Sequence, residues 1–245
     1  MSEKTNENNQ NEEKLEGNND KTVNEVKGSK KTKKEEPKSF ARELVEWIVC
    51  IVIAFVLALI IKYYIFTPTL VLQPSMTPTI LSEERVLINR LTRTFGWELK
   101  RGDIITFEAP VNYSLSNGEI VATYREIKGL GNLFLYNVLE AGKTSYIKRI
   151  IAVSGDKVEI TGGKVYVNDE IISEDYLPEG TKTYLPKEGG MPKSFVVPEG
   201  HVFAMGDNRE GSSDCRMFGC IPIEKVEGRV SIRIWPLNKL GSIDK

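Results

Sequence analysis

The chain has 245 residues, enough for one domain of ordinary size with an appendage and too few for two large independent domains. Its 33 Lys and Arg against 34 Asp and Glu leave no global basic excess, which argues against a protein built to grip nucleic acid. One histidine, His201, and three cysteines rule out a multi-His metal site and a four-thiolate zinc cluster, so candidate catalytic bases narrow to carboxylates and lysine.

Residues 1–42 are rich in Asn, Lys and Glu and nearly free of large apolar side chains, so they cannot bury enough surface to offset the entropy of ordering; a disordered tail is expected. Its charge is uneven. Residues 1–27 carry 4 Lys against 7 acidic residues, whereas residues 28–42 carry 6 Lys and Arg against 2 Glu. The basic block adjoins an apolar run from Leu44 to Phe66 that, at about 1.5 Å per residue, reaches roughly 34 Å and can cross a hydrocarbon core. A transmembrane helix over 43–66 follows. A buried core helix seldom stays apolar all round for so long, and a cleavable signal peptide would start earlier and end in a small-x-small site instead of KYYIFTPT. Lys and Arg cluster before the span, so the N-terminus is expected in the cytoplasm and residues 67–245 outside the cell membrane, with lipid around the helix.

Beyond Phe66 the apolar residues come in short runs between Gly, Pro and Asn: 85–88, 103–107, 145–153, 157–160, 164–167, 201–205 and 228–235. These are strand signals, and Thr161-Gly162-Gly163 reads as a hairpin connection. A mostly β protein is expected, a single transmembrane helix followed by an antiparallel β domain, with loop-rich segments at 108–145 and 177–198 and helical periodicity only near Leu130 to Leu139. There is no βαβ rhythm and no phosphate-cradling Gly loop, so no cofactor and no metal are called for.

Three segments carry candidate chemistry. Gln73-Pro74-Ser75-Met76-Thr77-Pro78 holds one hydroxyl between prolines that stiffen the backbone, although a serine in such a place is by itself an ordinary turn residue. In Tyr146-Ile147-Lys148-Arg149-Ile150-Ile151-Ala152-Val153, alternation puts Lys148 on one strand face with Tyr146, Ile150 and Ala152, and Arg149 on the other with Ile147, Ile151 and Val153. A strand lysine is commonly a solvated edge charge, but burial would lower its pKa and make it a base able to take a serine proton. Gly206-Asp207-Asn208-Arg209, running on to Ser212, Asp214 and Arg216, has the composition of a turn-rich loop.

In this order, Ser-Met-x-Pro-Thr behind an anchor, Arg-Gly-Asp-Ile-Ile-Thr-Phe at 101–107, Tyr-Ile-Lys-Arg-Ile-Ile with Gly155-Asp156 beyond, and Gly-Asp-Asn-Arg resemble the bacterial type I signal peptidases, or leader peptidases. The resemblance spans about Leu44 to Trp235. It implies a membrane-anchored serine endopeptidase with a Ser-Lys dyad, an all-β catalytic region resting on the membrane, and exported preproteins cut after small-x-small residues, with the secretion translocase nearby. Ser75 would be the nucleophile and Lys148 the general base. Ser212 would help orient the lysine, Asp214 and Arg216 would form a structural ion pair, and the Ser75 main-chain N–H would be one oxyanion donor. Gln73 stands where some members place a hydroxyl as second donor, and its amide can donate instead. Val71, Met76, Ile80 and Tyr146 match positions lining the small-residue pockets. The loop departs from the usual pattern at Glu210-Gly211 and Cys215, and the 108–145 insert is long.

His201 is expected to have no catalytic duty and Cys50 to be packing inside the span, while Cys215 and Cys220 suit either a small disulfide loop or free thiols. A sortase-like protein would need Cys, His and Arg together. The soluble self-cleaving repressors share Ser-Lys chemistry but lack a span like 44–66, and a non-catalytic outer module would leave Ser75 and Lys148 incidental.

Overall fold

Helix α1, Phe40–Tyr64, has 25 residues and none of them buried, and among the described residues it is the one helix long and apolar enough to cross a membrane. The computed structural model describes residues 40–116, 119–187 and 189–243, so most of the expected tail, 1–39, lies outside the described residues. The helix ends before Phe66 because Pro68 has no N–H and disfavours helical backbone at Thr67, whose Oγ1 donates to the Lys62 carbonyl at 2.7 Å. The chain then turns into strand β1, Phe66–Leu70, so the apolar run at 65–66 belongs partly to a strand.

The strands that follow are β2, Arg85–Asn89; β3, Ile104–Glu108; β4, Asn112–Ser116; β5, Glu119–Thr123; and β6, Ser145–Val153. Helix α2, Leu91–Phe95, follows β2, and helix α3, Leu130–Asn137, precedes β6. Next come β7, Lys157–Thr161; β8, Lys164–Val167; β9, Glu170–Ile171; β10, Ser194–Val196; and β11, His201–Met205. The short helix α4, Cys215–Phe218, leads to β12, Ile221–Pro222; β13, Val226–Trp235; and β14, Gly241–Ser242.

Every pairing among the described residues is antiparallel. The main sheet runs β1-β2-β13-β3-β6-β11-β12 with β14 beside β13; a second sheet runs β10-β7-β8-β9, and β4 and β5 form a separate hairpin. All seven apolar runs become strands. Gly162 and Gly163 close the β7–β8 hairpin at φ 61° and 78°, a left-handed pair that suits a two-residue turn and that side chains with a Cβ resist. The 108–145 segment is less loop-like than its punctuation implies, because it holds β4, β5 and α3; likewise 177–198 holds β10, and α2 escapes the periodicity test by being only one turn long.

Strand β6 lies between two apolar clusters. One gathers Ile105, Phe107, Ile150, Val158, Phe203 and Phe218 with their neighbours; the other gathers Val71, Met76, Ile80, Val86, Ile88 and Val230, with Ile147 against it. Simple alternation along β6 fails past Arg149. The β6–β11 register shifts between Phe203 and Ala204, which pair with Ala152 and Ile150, and the resulting bulge sends Ile150, Ile151 and Ala152 all into the first cluster.

Candidate active site

Pro74 opens a single 3-10 turn, Pro74–Met76, where a missing N–H costs nothing, and Gln73 before it is extended, as a residue preceding proline must be. The turn closes through Thr77 N–H to Pro74 O at 3.1 Å and Ile80 N–H to Met76 O at 2.9 Å. Behind it, Met76 and Ile80 are fully buried, which pins the turn and presents Ser75. The segment from Val71 to Glu84 is clamped at its far end by the buried Glu84, which accepts from Arg233 Nε at 2.8 Å; Arg233 Nη2 also donates to Thr79 O at 2.6 Å.

Lys148, 2% exposed, pairs across the ladder with Ile105 and points at the turn. Its Nζ lies 2.9 Å from Ser75 Oγ and 3.0 Å from the Ile147 carbonyl, and 5.2 Å from the centroid of the Tyr146 ring on the same strand face. Burial strips water from the ammonium and pushes its pKa down to about 8; the negative charges of Asp214 and Asp207 oppose that shift and the Arg216 guanidinium adds to it. An amine that sheds its proton near pH 8, in contact with a hydroxyl, can accept the hydroxyl proton.

The loop after β11 holds both partners. Asn208 donates its backbone N–H to the Ser75 carbonyl at 3.0 Å and its side-chain amide to Pro74 O at 3.3 Å. Arg149, the next residue after the lysine, makes a two-pronged bond to Asp207 at 2.9 and 2.8 Å with both side chains buried, and Thr79 Oγ1 donates to the same carboxylate at 2.6 Å. The Arg149 guanidinium also lies 3.9 Å from the Tyr176 ring centroid. Asp207, Asn208, Thr79 and Arg149 were not singled out as site residues by the sequence; the signal available was Arg149 adjoining the candidate lysine and Asp207-Asn208 inside the motif.

Asp214 and Arg216 form the expected ion pair, with Arg216 Nε to Asp214 Oδ1 at 2.8 Å and Nη2 to Oδ2 at 2.9 Å. Asp214 also caps α4 and accepts the Gly206 N–H at 3.0 Å, while Arg216 reaches the Arg209 carbonyl at 2.7 Å, so the pair fixes the loop under Ser75. Ser212 is buried in the same loop, and its Oγ has no hydrogen-bond partner.

A cavity of about 410 Å³ opens over the dyad, with Val71, Gln73, Ser75, Thr106, Tyr146 and Lys148 in its wall. Val71 and Tyr146 line it. Met76 and Ile80 are not in its wall; both are fully buried in the second apolar cluster behind the turn. Gln73 is exposed at the cavity and makes no capping bond to the turn, which leaves its amide free to face a ligand.

His201 starts β11, its Nδ1 2.8 Å from the Glu199 carbonyl. Cys215 and Cys220 are free thiols, the first accepting the Ala204 N–H at 3.2 Å; burial pushes the Cys215 thiol well above its ordinary pKa and that of Cys220 up to about 12. Cys50 lies exposed on α1. Among the described residues no group of three or more His, Cys, Asp or Glu side chains is placed to hold a metal ion.

Residues 44–235 match the family described as "Signal peptidase, peptidase S26". The chain is similar to signal peptidase IB of Staphylococcus aureus strain Mu50, 33% identical over 209 residues that cover 81% of this chain and 93% of that protein. It is also similar to signal peptidase I of Bacillus licheniformis, 32% identical over 205 residues, 82% of this chain and 94% of the other. A crystal structure of a signal peptidase I from Enterococcus faecalis V583 is 27% identical, covering 54% of this chain and 96% of that one, with a TM-score of 0.36.

Proposed function

The chain belongs to the signal peptidase family S26, whose activity is removal of signal peptides from preproteins, and on that premise we propose that Ser75 and Lys148 perform the cleavage. The observation that carries the assignment is the 2.9 Å approach of a buried, unprotonated-prone amine to a hydroxyl at the wall of a cavity.

Lys148 Nζ takes the proton of Ser75 Oγ as the oxygen attacks the carbonyl carbon of the scissile bond. The tetrahedral oxyanion is received by the Ser75 main-chain N–H, with the Gln73 amide as second donor. The Lys148 ammonium then protonates the departing amine, leaving an acyl ester on Ser75. A water molecule, deprotonated by Lys148, attacks that ester and frees the signal peptide and the enzyme. Asp214, Arg216 and Ser212 act on this chemistry through the loop that supports Ser75.

Val71 and Tyr146 select by excluding volume, which favours small side chains before the cleaved bond and suits a small-x-small rule. The apolar length of α1 supports membrane anchoring. The basic block before it supports a cytoplasmic N-terminus, an outer catalytic region resting against lipid, and work beside the translocase that delivers preproteins.

The purified full chain in detergent, given a preprotein, tests the dyad. Ser75→Ala, Lys148→Ala and Lys148→Arg should each abolish cleavage with the fold kept, the last because guanidinium stays protonated and cannot serve as base. Substantial cleavage by any of the three refutes the assignment.

A further inference from the structure

Helix α3 faces the wrong way for a helix bathed in water. Its Tyr136 is buried and donates to Glu108 Oε1 at 2.9 Å, tying the helix to β3, whereas Leu130, Leu133 and Phe134, spaced to share one face, are 87%, 45% and 46% exposed. Such a face calls for an apolar partner. The loop just after α3 shows which one. Glu140 pairs there with Lys62 in the last turn of α1, Nζ to Oε2 at 3.5 Å, and with Arg90, which brings α3 to the level at which the apolar helix ends.

Helix α2 meets the same turn. Arg93 donates to Tyr63 O at 3.0 Å and Thr94 to Tyr64 O at 2.9 Å, and the exposed rings of Phe95, the last residue of α2, and Trp97 beyond it stack 6.0 Å apart. Exposed aromatics and leucines near the end of α1 supply apolar groups for the acyl boundary of a bilayer interface, and the exposed Lys128, paired with Glu126 at 3.4 Å, stands two residues before α3.

We infer that α3 is an interfacial helix that lays Leu130, Leu133 and Phe134 into the lipid surface beside the exit of α1. Glu140 and Lys143, which follow it, also line the cavity over the dyad, so the contact would hold the cavity mouth at the height where a membrane-held signal peptide leaves the bilayer. The inference rests on α1 being a membrane anchor.

The test uses the full chain in vesicles of phosphatidylethanolamine and phosphatidylglycerol, with the photoreactive residue p-benzoylphenylalanine placed at Leu133, at Val52 within α1, or at the exposed Lys164 of β8. Lipid adducts, identified by mass, should form at 133 and 52 and not at 164. Adducts at 52 alone overturn the inference and spare the anchor; adducts at neither overturn both. The same labels in native membranes should again give lipid at 133, and a protein adduct there would overturn it. As a second reading, the combined Leu130→Ser, Leu133→Ser and Phe134→Ser variant should cleave a vesicle-inserted preprotein about tenfold more slowly, since small misplacement of a cleavage site is that costly. Its cleavage of a soluble peptide in detergent should stay unchanged. Equal loss on both substrates would mean that α3 serves the fold and not the membrane.

Discussion

The carbonyl of Ser75 accepts the backbone N–H of Asn208 at 3.0 Å, so the loop after β11 grips the main chain of the proposed nucleophile itself. Gly206 makes this possible. A Cβ there would collide with the Ser75 carbonyl and with Ser212, and the first is backbone that has no way to swing aside. Gly206→Ala is therefore expected to displace Ser75 from Lys148 and lower kcat by about a hundredfold, as an ångström of misplacement does, with KM little changed. Steady-state kinetics beside far-UV circular dichroism checks it; a folded variant with normal kcat would show that the loop does not set the position of Ser75.

Arg149 and Asp207 form the buried pair that binds β6 to the same loop. Asp207→Ala strands a buried guanidinium and should cost about 3–5 kcal/mol, whereas the double change Arg149→Leu with Asp207→Leu should recover a large part of that, because neither charge is then buried alone. Urea unfolding of the detergent-held chain measures both. If the double variant is as unstable as Asp207→Ala, the pair is not the energetic unit described.

Ser212 carries a buried hydroxyl with its hydrogen-bonding capacity unused. Removing it leaves no partner stranded, so Ser212→Ala should change stability by less than about 1 kcal/mol in either direction. If Ser212 orients Lys148 during turnover, kcat should nevertheless fall and the pH profile shift; thermal unfolding with a pH–rate series separates the two. A stability loss well beyond that bound would show a bond in the resting protein.

The strands were legible because their apolar runs are short, alternating and bounded by Gly and Pro, and the order of the motifs pointed to Ser75 and Lys148, which lie 2.9 Å apart. What stayed hidden depended on tertiary context. The burial of Met76 and Ile80 behind the 3-10 turn at Pro74 depends on long-range packing, and the bulge opposite Phe203 breaks the alternation that would put Ile151 and Arg149 on one face. The partners of Arg149 lie 58 and 70 positions away, at Asp207 and Thr79, beyond the reach of any local pattern. Helix α3, in turn, is readable as apolar but not as outward-facing.

Burying Lys148 has a thermodynamic consequence. Its pKa is lowered from 10.5 to about 8, so between those values the unfolded chain holds a proton that the folded chain lacks, and stability rises with pH across that window. Below about pH 8 the folded protein bears the full penalty, a few kcal/mol at roughly 1.4 per unit. Lys148→Met should accordingly unfold at a higher temperature than the parent at pH 7, and the advantage should shrink toward pH 10.5. Equal melting temperatures at neutral pH would contradict a strained, buried amine.

The proton transfer from Ser75 to Lys148 is tested most directly by kcat/KM for a preprotein over the range from about pH 6 to about pH 10, which reports the ionisation of the free enzyme's base. The expected profile rises with pH and levels off, with a midpoint near the Lys148 value of about 8. Asp214→Asn, which removes the leading charge that holds the proton on, should move that midpoint to lower pH. A flat profile, or a midpoint at the ordinary lysine value of 10.5 that Asp214→Asn leaves in place, would contradict Lys148 as the base.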